Sequence, residues 1–303
     1  MRRPLAAVAV AGAVASLLAG CSLPEGVDGD LADEWGGFPE PVAFVPAAPI
    51  CHAEPYAETA ALVDYRPIDC DQPHLVQTVY VGAFTGDVAE RDSPPASGSR
   101  AIRRAYSECE TQVAEFLGAD YRYGRLTMGV VKPTEAGWAG GARWFRCDVS
   151  EIDDVRGVPV ERQGSLEGAL VEDSDSGLRL GCFTGRLGDG GEVQERAEVP
   201  CDQPHEAEFV GIWRSPDDDY PTFDDSAAEE RVYQGCRETV ADYVDVPKDG
   251  NLIYRTGVIA DWMSEHDWDN GDRAFRCYLW LPDRELTESL RGAGTEGLPI
   301  HTE

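Results

Sequence analysis

The chain has 303 residues and a mass of 33.0 kDa, which is long enough for two domains of ordinary size. Hydrophobic residues make up 42% of it, and this excludes a disordered acidic tail. Its 26 basic and 56 acidic residues give a net charge of −30, which argues against nucleic-acid binding and against electrostatic docking on anionic lipid.

The N-terminus has the pattern of an export signal. Arg2 and Arg3 precede an apolar stretch, Leu5 to Leu18, that is too short to span a membrane. The sequence Leu18-Ala19-Gly20-Cys21 follows and resembles a bacterial lipobox, in which the cysteine receives a diacylglyceryl group. We therefore predict a signal peptide at residues 1–20, lipidation of Cys21 with two acyl chains (diacylglyceryl, palmitate-type), and a position on the extracytoplasmic side of the cell membrane. The alternative is an ordinary signal peptide followed by a chance cysteine.

Residues 21–50 are rich in proline, glycine and acidic residues and show neither a helical nor a strand period. Such a composition is typical of an extended linker. We predict a tether that holds the rest of the protein away from the membrane. The alternative is a partly ordered segment that packs Trp35 and Phe38 on the folded part.

The cysteines reveal an internal repeat of about 130 residues. Cys70-Asp71-Gln72-Pro73-His74 recurs letter for letter as Cys201-Asp202-Gln203-Pro204-His205. Near the end of each copy, a tryptophan, a glycine, an arginine and a cysteine recur at the same spacing, in the ranges 138–147 and 268–277. We predict two tandem repeats, at residues 51–170 and 171–303.

Apart from Cys21, each repeat contains four cysteines. An even number in an exported protein indicates disulfide bonds, and four cysteines permit three pairings. Short loop closure favours one set, which joins Cys51 to Cys70, Cys109 to Cys147, Cys182 to Cys201, and Cys236 to Cys277. The competing interpretation is a zinc site at Cys70 and His74 or at Cys201 and His205. It lacks a C-x₂-C pair and needs reduced thiolates outside the cytoplasm.

Apolar residues recur with a 3.6-residue period from Ser99 to Leu117 and again from about Ser226 to Val244, and they predict one amphipathic helix per repeat. Segments rich in Val, Phe, Tyr and Trp predict strands at residues 75–84, 125–131 and 143–149, and at 209–213, 252–259 and 273–279. The fold class is α+β. Each repeat is predicted as β-β-β-α-β-β, with one helix on a small antiparallel sheet and two disulfides.

His74 and His205 are candidate binding residues because they recur after the same four residues. One interpretation is an imidazole that contacts a ligand or acts as a general base, with Glu208 as its partner in the second repeat. The other is an imidazole that donates to a backbone carbonyl beside the cysteine turn. The first repeat lacks the acid after its histidine, which favours the structural interpretation.

Four further candidate binding residues recur in pairs, Arg143 with Arg273 and Trp138 with Trp268. A guanidinium suits a carboxylate or an envelope phosphate, and we expect Glu135 or Glu265 of the same repeat as its partner. An indole could stack on a sugar, but we expect a core anchor whose N–H is hydrogen-bonded.

No catalytic residue is predicted, because the motifs of serine hydrolases, zinc proteases and penicillin-binding enzymes are absent from the sequence. No metal and no cofactor are predicted. Acidic clusters at residues 217–219, 224–225 and 267–272 leave calcium binding as an alternative, although solvated loops are the default expectation.

The repeated features together resemble the septum formation family of actinobacterial envelope proteins. The features are the Cys-x₃-His step with proline before histidine, the cysteine in the central helix, and the Trp-x₂-Gly-x-Arg-x₃-Cys ending at Trp138–Cys147 and Trp268–Cys277. The resemblance covers about residues 50–292. It implies a membrane-tethered extracytoplasmic domain that is associated with division septa, and it implies no established activity or ligand.

We therefore expect a non-enzymatic interaction module that is held on the membrane by lipid and binds an unknown envelope or division protein, with the cleft between the repeats as the natural site. Two alternatives remain. One is an enzyme or sensor of cell-wall chemistry that uses His205 and Glu208. The other is an acidic, cation-binding lipoprotein.

Overall fold

The computed structural model describes residues 42–153, 157–187, 193–222 and 224–301. These residues form a mixed α+β structure with two sheets, five α-helices and four disulfide bonds. Ala43–Glu303 belong to one compact unit. The predicted signal peptide, Cys21 and nearly all of the predicted tether, with Trp35 and Phe38, lie outside the described residues.

The first sheet has six strands in the order β2-β5-β6-β4-β1-β3. The strands are Ile50–His52 (β1), Thr59–Ala60 (β2), Pro67–Ile68 (β3), Val76–Ala83 (β4), Leu126–Pro133 (β5) and Trp144–Glu151 (β6). All pairs are antiparallel except β2 with β5. Because side chains alternate along a strand, Cys147 faces one side of the sheet while Arg146 and Asp148 face the other.

Helix α1, Arg100–Leu117, lies on the first sheet. The Ser99 side chain caps it by accepting from the Ile102 N–H, and Gly118 ends it at a φ of 89°, which favours glycine. The stripe predicted from the sequence is buried in the core together with β-strand residues such as Phe145. A short helix, Glu135–Ala139 (α2), precedes β6.

The second sheet has five strands in the order β10-β11-β9-β7-β8. The strands are Cys182–Leu187 (β7), Val193–Val199 (β8), Ala207–Arg214 (β9), Gly257–Asp261 (β10) and Ala274–Trp280 (β11). Helix α3, Ser226–Val244, packs on this sheet and is capped by the Asp225 side chain. Two short helices follow, Glu265–Asn270 (α4) and Gly294–Gly297 (α5).

The element order differs in detail from the predicted β-β-β-α-β-β. The first sheet includes the extra two-residue strand β2, and α2, α4 and α5 are too short to produce a helical period in the sequence. The strand predicted at residues 252–259 begins only at Gly257, because Leu252–Tyr254 form a 3₁₀ turn that buries Leu252.

The eight cysteines are joined in the four pairs that short loop closure favours. In each sheet, one bond ties the central helix to a central strand, as Cys109–Cys147 does for α1 and β6. The other bond, of separation 19, joins β1 or β7 to the loop that follows the neighbouring edge strand, β3 or β8. All four bonds therefore connect elements of the same sheet and its helix.

We call residues 43–181 the first half and residues 182–301 the second half. The core of the first half extends to Leu178, which lies beyond the predicted end of the first repeat at residue 170. The halves meet through a buried cation: Arg122, 1% exposed, lies 2.7 Å from Asp272 and also contacts Asp120 and Glu110. The interface therefore includes a desolvated ion-pair cluster.

Candidate functional site

His205 and Glu208 lie together in the second half, and neither side chain is exposed. Their closest atoms, Nε2 and Oε1, are 3.4 Å apart. The Glu208 carboxylate also accepts three hydrogen bonds of 2.8 Å, from the Tyr243 hydroxyl, the Ser289 hydroxyl and the Leu290 N–H. The buried Glu208 carboxylate is therefore surrounded by His205, Tyr243, Ser289 and Leu290.

The other nitrogen of His205 fixes the direction of the hydrogen bonds. Nδ1 lies 2.7 Å from the Gln203 carbonyl oxygen, which only accepts, so Nδ1 donates. Nε2 can then donate to Glu208 only if the imidazole also carries its second proton. The Tyr243 hydroxyl remains a donor because burial raises its pKa to about 12. His205 thus matches the structural interpretation, in which the imidazole donates to a backbone carbonyl beside the cysteine turn. The Glu208 carboxylate is an additional contact.

His74 occupies the same place in the first half. Its Nδ1 donates to the Gln72 carbonyl at 2.8 Å, and its buried Nε2 has no hydrogen-bond partner among the described residues. The residue that corresponds to Glu208 is Gln77. Its amide accepts from the Leu166 N–H at 2.8 Å and donates to the Ser165 hydroxyl at 3.1 Å. The Ser-Leu pairs at 165–166 and 289–290 therefore recur because each closes the same turn.

The proposed zinc ligands do not form a thiolate site. The ligand atoms of Cys182, His205 and Glu208 lie within 4.8 Å of one another. However, the Cys182 sulfur is bonded to Cys201, so neither cysteine offers the thiolate that zinc prefers. In the first half, Cys70 is likewise bonded to Cys51.

Arg143 and Arg273 do not pair with Glu135 or Glu265, and this expectation is wrong. Arg143 donates to the backbone carbonyls of Ala89, Trp138 and Ala142, and its guanidinium lies 4.2 Å from the centre of the Trp138 ring. The guanidinium therefore binds backbone carbonyls around the C-terminal end of α2, where a positive charge is favourable.

The second half repeats this contact. Arg273 donates to the carbonyls of Trp268 and Asp272 and stacks on Trp268 at 4.1 Å. Both tryptophans are 1% exposed, and their indole N–H groups donate to Arg91 and Asp218 carbonyls. They are core anchors, as expected.

Several acids of the predicted clusters have internal partners. Asp217 pairs with Arg231 at 2.9 Å, Asp225 caps α3, and Asp272 pairs with Arg122. Asp267 accepts from Ser264 at the start of α4. These contacts match the roles of helix caps and surface ion pairs.

A cavity of about 170 Å³ lies between the halves, where the sequence places the natural site. Its polar lining comes from Tyr56, Glu58, Lys132, Asp148, His266 and Asp267. None of the seven candidate binding residues lines it. His266 and Glu58, which both line it, contact each other across the two halves.

Asp148, which lines this cavity, belongs to a buried polar network on the face of the first sheet away from α1. The Thr78 hydroxyl donates to Asp148 at 2.7 Å, and His52 Nε2 lies 3.2 Å from the same hydroxyl oxygen. Arg146 pairs with Asp148 at 3.0 Å. The Thr78 hydroxyl therefore links His52 to Asp148.

Burial sets the protonation states in this network. It lowers the pKa of His52 to about 4, assisted by the positive charge of Arg146. It raises the pKa of Asp148 above its ordinary value, against the opposing effect of Arg146. Burial also lowers the pKa of Lys132, whose ammonium donates to the Pro95 carbonyl at 2.7 Å.

Sequence reasoning did not identify this network. His52, Thr78 and Asp148 correspond to Phe183, Phe209 and Tyr278 of the second half, so the positions do not recur as a motif. The available signal was that Arg146 and Asp148 interrupt an otherwise apolar strand, with both side chains on one face.

Among the described residues, no helix has the length and apolar character needed to cross a membrane. A family model described as septum formation matches residues 50–277, which includes both halves. Comparison with curated proteins and with solved structures finds no match.

Proposed function

Because the chain belongs to the septum formation family, we propose that it works in septum formation as a non-enzymatic binding module on the outer side of the cell membrane. The observation that carries the proposal is the set of four disulfides, which tie each helix and each sheet together. Such bonds form and persist in oxidising compartments. The module therefore binds its partner in the cell envelope.

We attribute its hold on the membrane to lipid on Cys21, after removal of residues 1–20. Two acyl chains give stable anchoring where one gives marginal binding. A net charge of −30 repels an anionic surface, so the protein itself adds no electrostatic attraction to the membrane. The segment 21–50 serves as the tether between the lipid and the folded halves.

The non-enzymatic role is supported by where the recurring polar residues direct their atoms. His205 and Glu208 are fully buried and bonded to each other and to neighbours, and Arg143 and Arg273 bind backbone carbonyls. A general base must reach a substrate proton within about 3 Å. Side chains that stabilise turns in both halves are better explained by the fold.

The repeat is part of the proposal. Five strands of each sheet follow the same order once β2 is set aside, and the same disulfides and Trp–Arg contacts recur. We attribute both halves to duplication of one β-β-β-α-β-β unit, with repeats at residues 51–170 and 171–303. The second copy then acquired the aromatic sheet face that the first copy lacks.

The membrane claim is tested by fractionating cells that produce the full chain or its Cys21→Ala variant. The expected result is that the full chain is found in the membrane fraction and the variant is released from it. A full chain that is released, or a variant that stays with the membrane, would contradict lipid anchoring at Cys21.

The non-enzymatic role is tested with the double variant His205→Gln/Glu208→Gln. Position 208 then carries the amide that Gln77 provides in the first half. We expect it to restore division in depleted cells as well as the unaltered chain. Loss of division by a variant with an unaltered far-ultraviolet circular dichroism spectrum would favour the enzyme alternative.

A further inference from the structure

One turn of the first half makes several of the contacts between the halves. Tyr123 packs edge-on against Phe209 of the second sheet, with ring centres 5.4 Å apart, and Leu180 joins the same apolar cluster. The flanking arginines bind carboxylates of the second half: Arg122 pairs with Asp272 at 2.7 Å, and Arg125 pairs with Glu198. The turn therefore presents an aromatic ring between two cations.

The second half contains a turn built in the same way. A 3₁₀ turn leads into a strand in both halves, Tyr121–Tyr123 before β5 and Leu252–Tyr254 before β10. A later segment crosses each turn: the Leu180 N–H donates to the Tyr123 carbonyl at 2.9 Å, and the His301 N–H donates to the Tyr254 carbonyl at 2.8 Å. Tyr254 and His301 thus take the places of Tyr123 and Leu180, and Ile300 directly precedes His301.

The surroundings of the two turns differ sharply. Tyr123 and Leu180 contact the second sheet, whereas Ile253, Tyr254 and Ile300 are 53%, 52% and 41% exposed. They border a groove of about 700 Å³. Three large apolar side chains exposed together around one groove indicate an interaction surface. We call the surface formed by Ile253, Tyr254, Arg255, Arg284 and Ile300 the exposed turn surface.

The exposed turn surface carries two arginines in a strongly acidic chain, and one acid, Asp283, lines the same groove. Arg255 is 6% exposed and lines the groove. Its guanidinium donates to the Leu298 carbonyl at 2.6 Å, its Nε has no partner, and no described carboxylate pairs with it. Arg284 lines the same groove. A buried guanidinium gains most from a carboxylate that binds it in two-pronged fashion.

We propose that the exposed turn surface binds a partner protein through a β-sheet face that carries aromatic side chains flanked by a carboxylate. The first half supplies the precedent, since its turn is covered by Phe209 with Asp272 and Glu198 beside it. The partner's aromatic ring packs on Tyr254 and Ile300, and its carboxylate pairs with Arg255. This inference rests on the proposed function as a binding module and names the partner's chemistry.

A second copy of the chain does not fit this description. Its second sheet is already covered by its own Tyr123 and Leu180. Its first sheet has His52, Thr78 and Asp148 where the second has three aromatic residues, and Tyr56 covers that face. Neither sheet of another copy therefore offers an open aromatic face, so the occupant is a different protein.

The test is site-specific photo-crosslinking of the full, membrane-anchored chain in its host. The photoreactive residue replaces Tyr254, and a matched control replaces Val63, a 76% exposed residue of the first half. We expect a single heterologous adduct from position 254 and none from position 63. Its crosslinked peptide should contain aromatic residues and a carboxylate on one strand face. Ile300→Ser should reduce the adduct about tenfold, as the loss of a central apolar contact does.

Each other result counts against the surface. No adduct above the Val63 control, an adduct with another copy of the chain, or a crosslinked peptide without aromatic and acidic residues would overturn it. Failure of the proposed function is distinguishable. Normal septation in depleted cells contradicts the septum role whatever the adduct is, whereas defective septation without an adduct contradicts the exposed turn surface alone.

Discussion

At the scale of single residues, the protein performs one structural task with two different side chains. Glu208 and Gln77 hold corresponding turns by accepting from the backbone N–H of Leu290 and Leu166. Only Glu208 brings a charge, which it directs at His205. The contact between His205 and Glu208 is therefore not needed to hold the turn, because the Gln77 amide holds the corresponding turn of the first half without it.

We predict that Glu208→Gln lowers the free energy of unfolding by about 1–2 kcal/mol. The amide can keep the bond to the Leu290 N–H and bond Ser289 as Gln77 bonds Ser165, but it loses the negative charge that faces His205 and Tyr243. Glu208→Ala should cost about 3–5 kcal/mol, because it leaves buried donors without an acceptor. Urea denaturation followed by circular dichroism measures both. Equal losses for the two variants would contradict this account of the turn.

His52 makes stability depend on pH. Its pKa is about 4 in the folded protein, below the ordinary 6.5, so the unfolded chain binds more protons between these values. Stability is fully present above pH 6.5 and is lost as the pH falls towards 4, by up to about 3 kcal/mol. Denaturation at a series of pH values checks this. His52→Gln should flatten the profile in that range, and His301→Gln, at an exposed site, should not.

At the scale of elements, sequence reasoning succeeds where a signal extends over many residues. Helix α1 has a long apolar stripe, a serine cap and a terminal glycine, and all three are in the structure. The predicted 75–84 strand is β4. Helix α2 was missed because five residues are too few for a period.

The candidate site was predicted less well than the fold. Its candidate residues were chosen because they recur in both halves, and residues that recur are those that both halves need for folding. Trp138 and Arg143 recur and prove to support α2. His52 and Asp148 line or support the central cavity and do not recur. Their contact joins strands that are distant in the chain, and no local pattern reveals such a pairing.

The disulfide between helix and strand is the strongest link within each half. Replacing Cys109 and Cys147 by alanine opens a loop of separation 38, and the chain-entropy relation predicts a loss of about 4 kcal/mol. Replacing Cys51 and Cys70, separation 19, should cost about 3 kcal/mol. Thermal denaturation of both double variants provides the comparison. An unchanged melting temperature for the Cys109/Cys147 variant would show that the bond does not stabilise the first half.

At the scale of the whole molecule, a residue that differs between the two copies contributes to the contact between the halves. Asp272 stands where the first copy has Ala142, and its carboxylate meets the buried Arg122 and the Tyr121 hydroxyl. Arg276 adds bonds to the carbonyls of Gly124 and Leu126. The second half therefore binds the segment 121–126 of the first half through Asp272 and Arg276.

We predict that Asp272→Ala weakens this interface and costs about 3 kcal/mol, because it leaves part of a buried guanidinium without its carboxylate. Differential scanning calorimetry should then show the single transition broadening or dividing in two. The control is Asp269→Ala, an exposed acid of α4 three residues earlier in the chain. A variant that melts like the control would show that Asp272 does not hold the halves together.

The proposed role in septum formation is tested most directly by measuring the distance between septa in host cells depleted of the chain. We expect longer distances and missing septa. The full chain should restore normal septation, and its Cys21→Ala variant should not. Septa at normal spacing in depleted cells would contradict it.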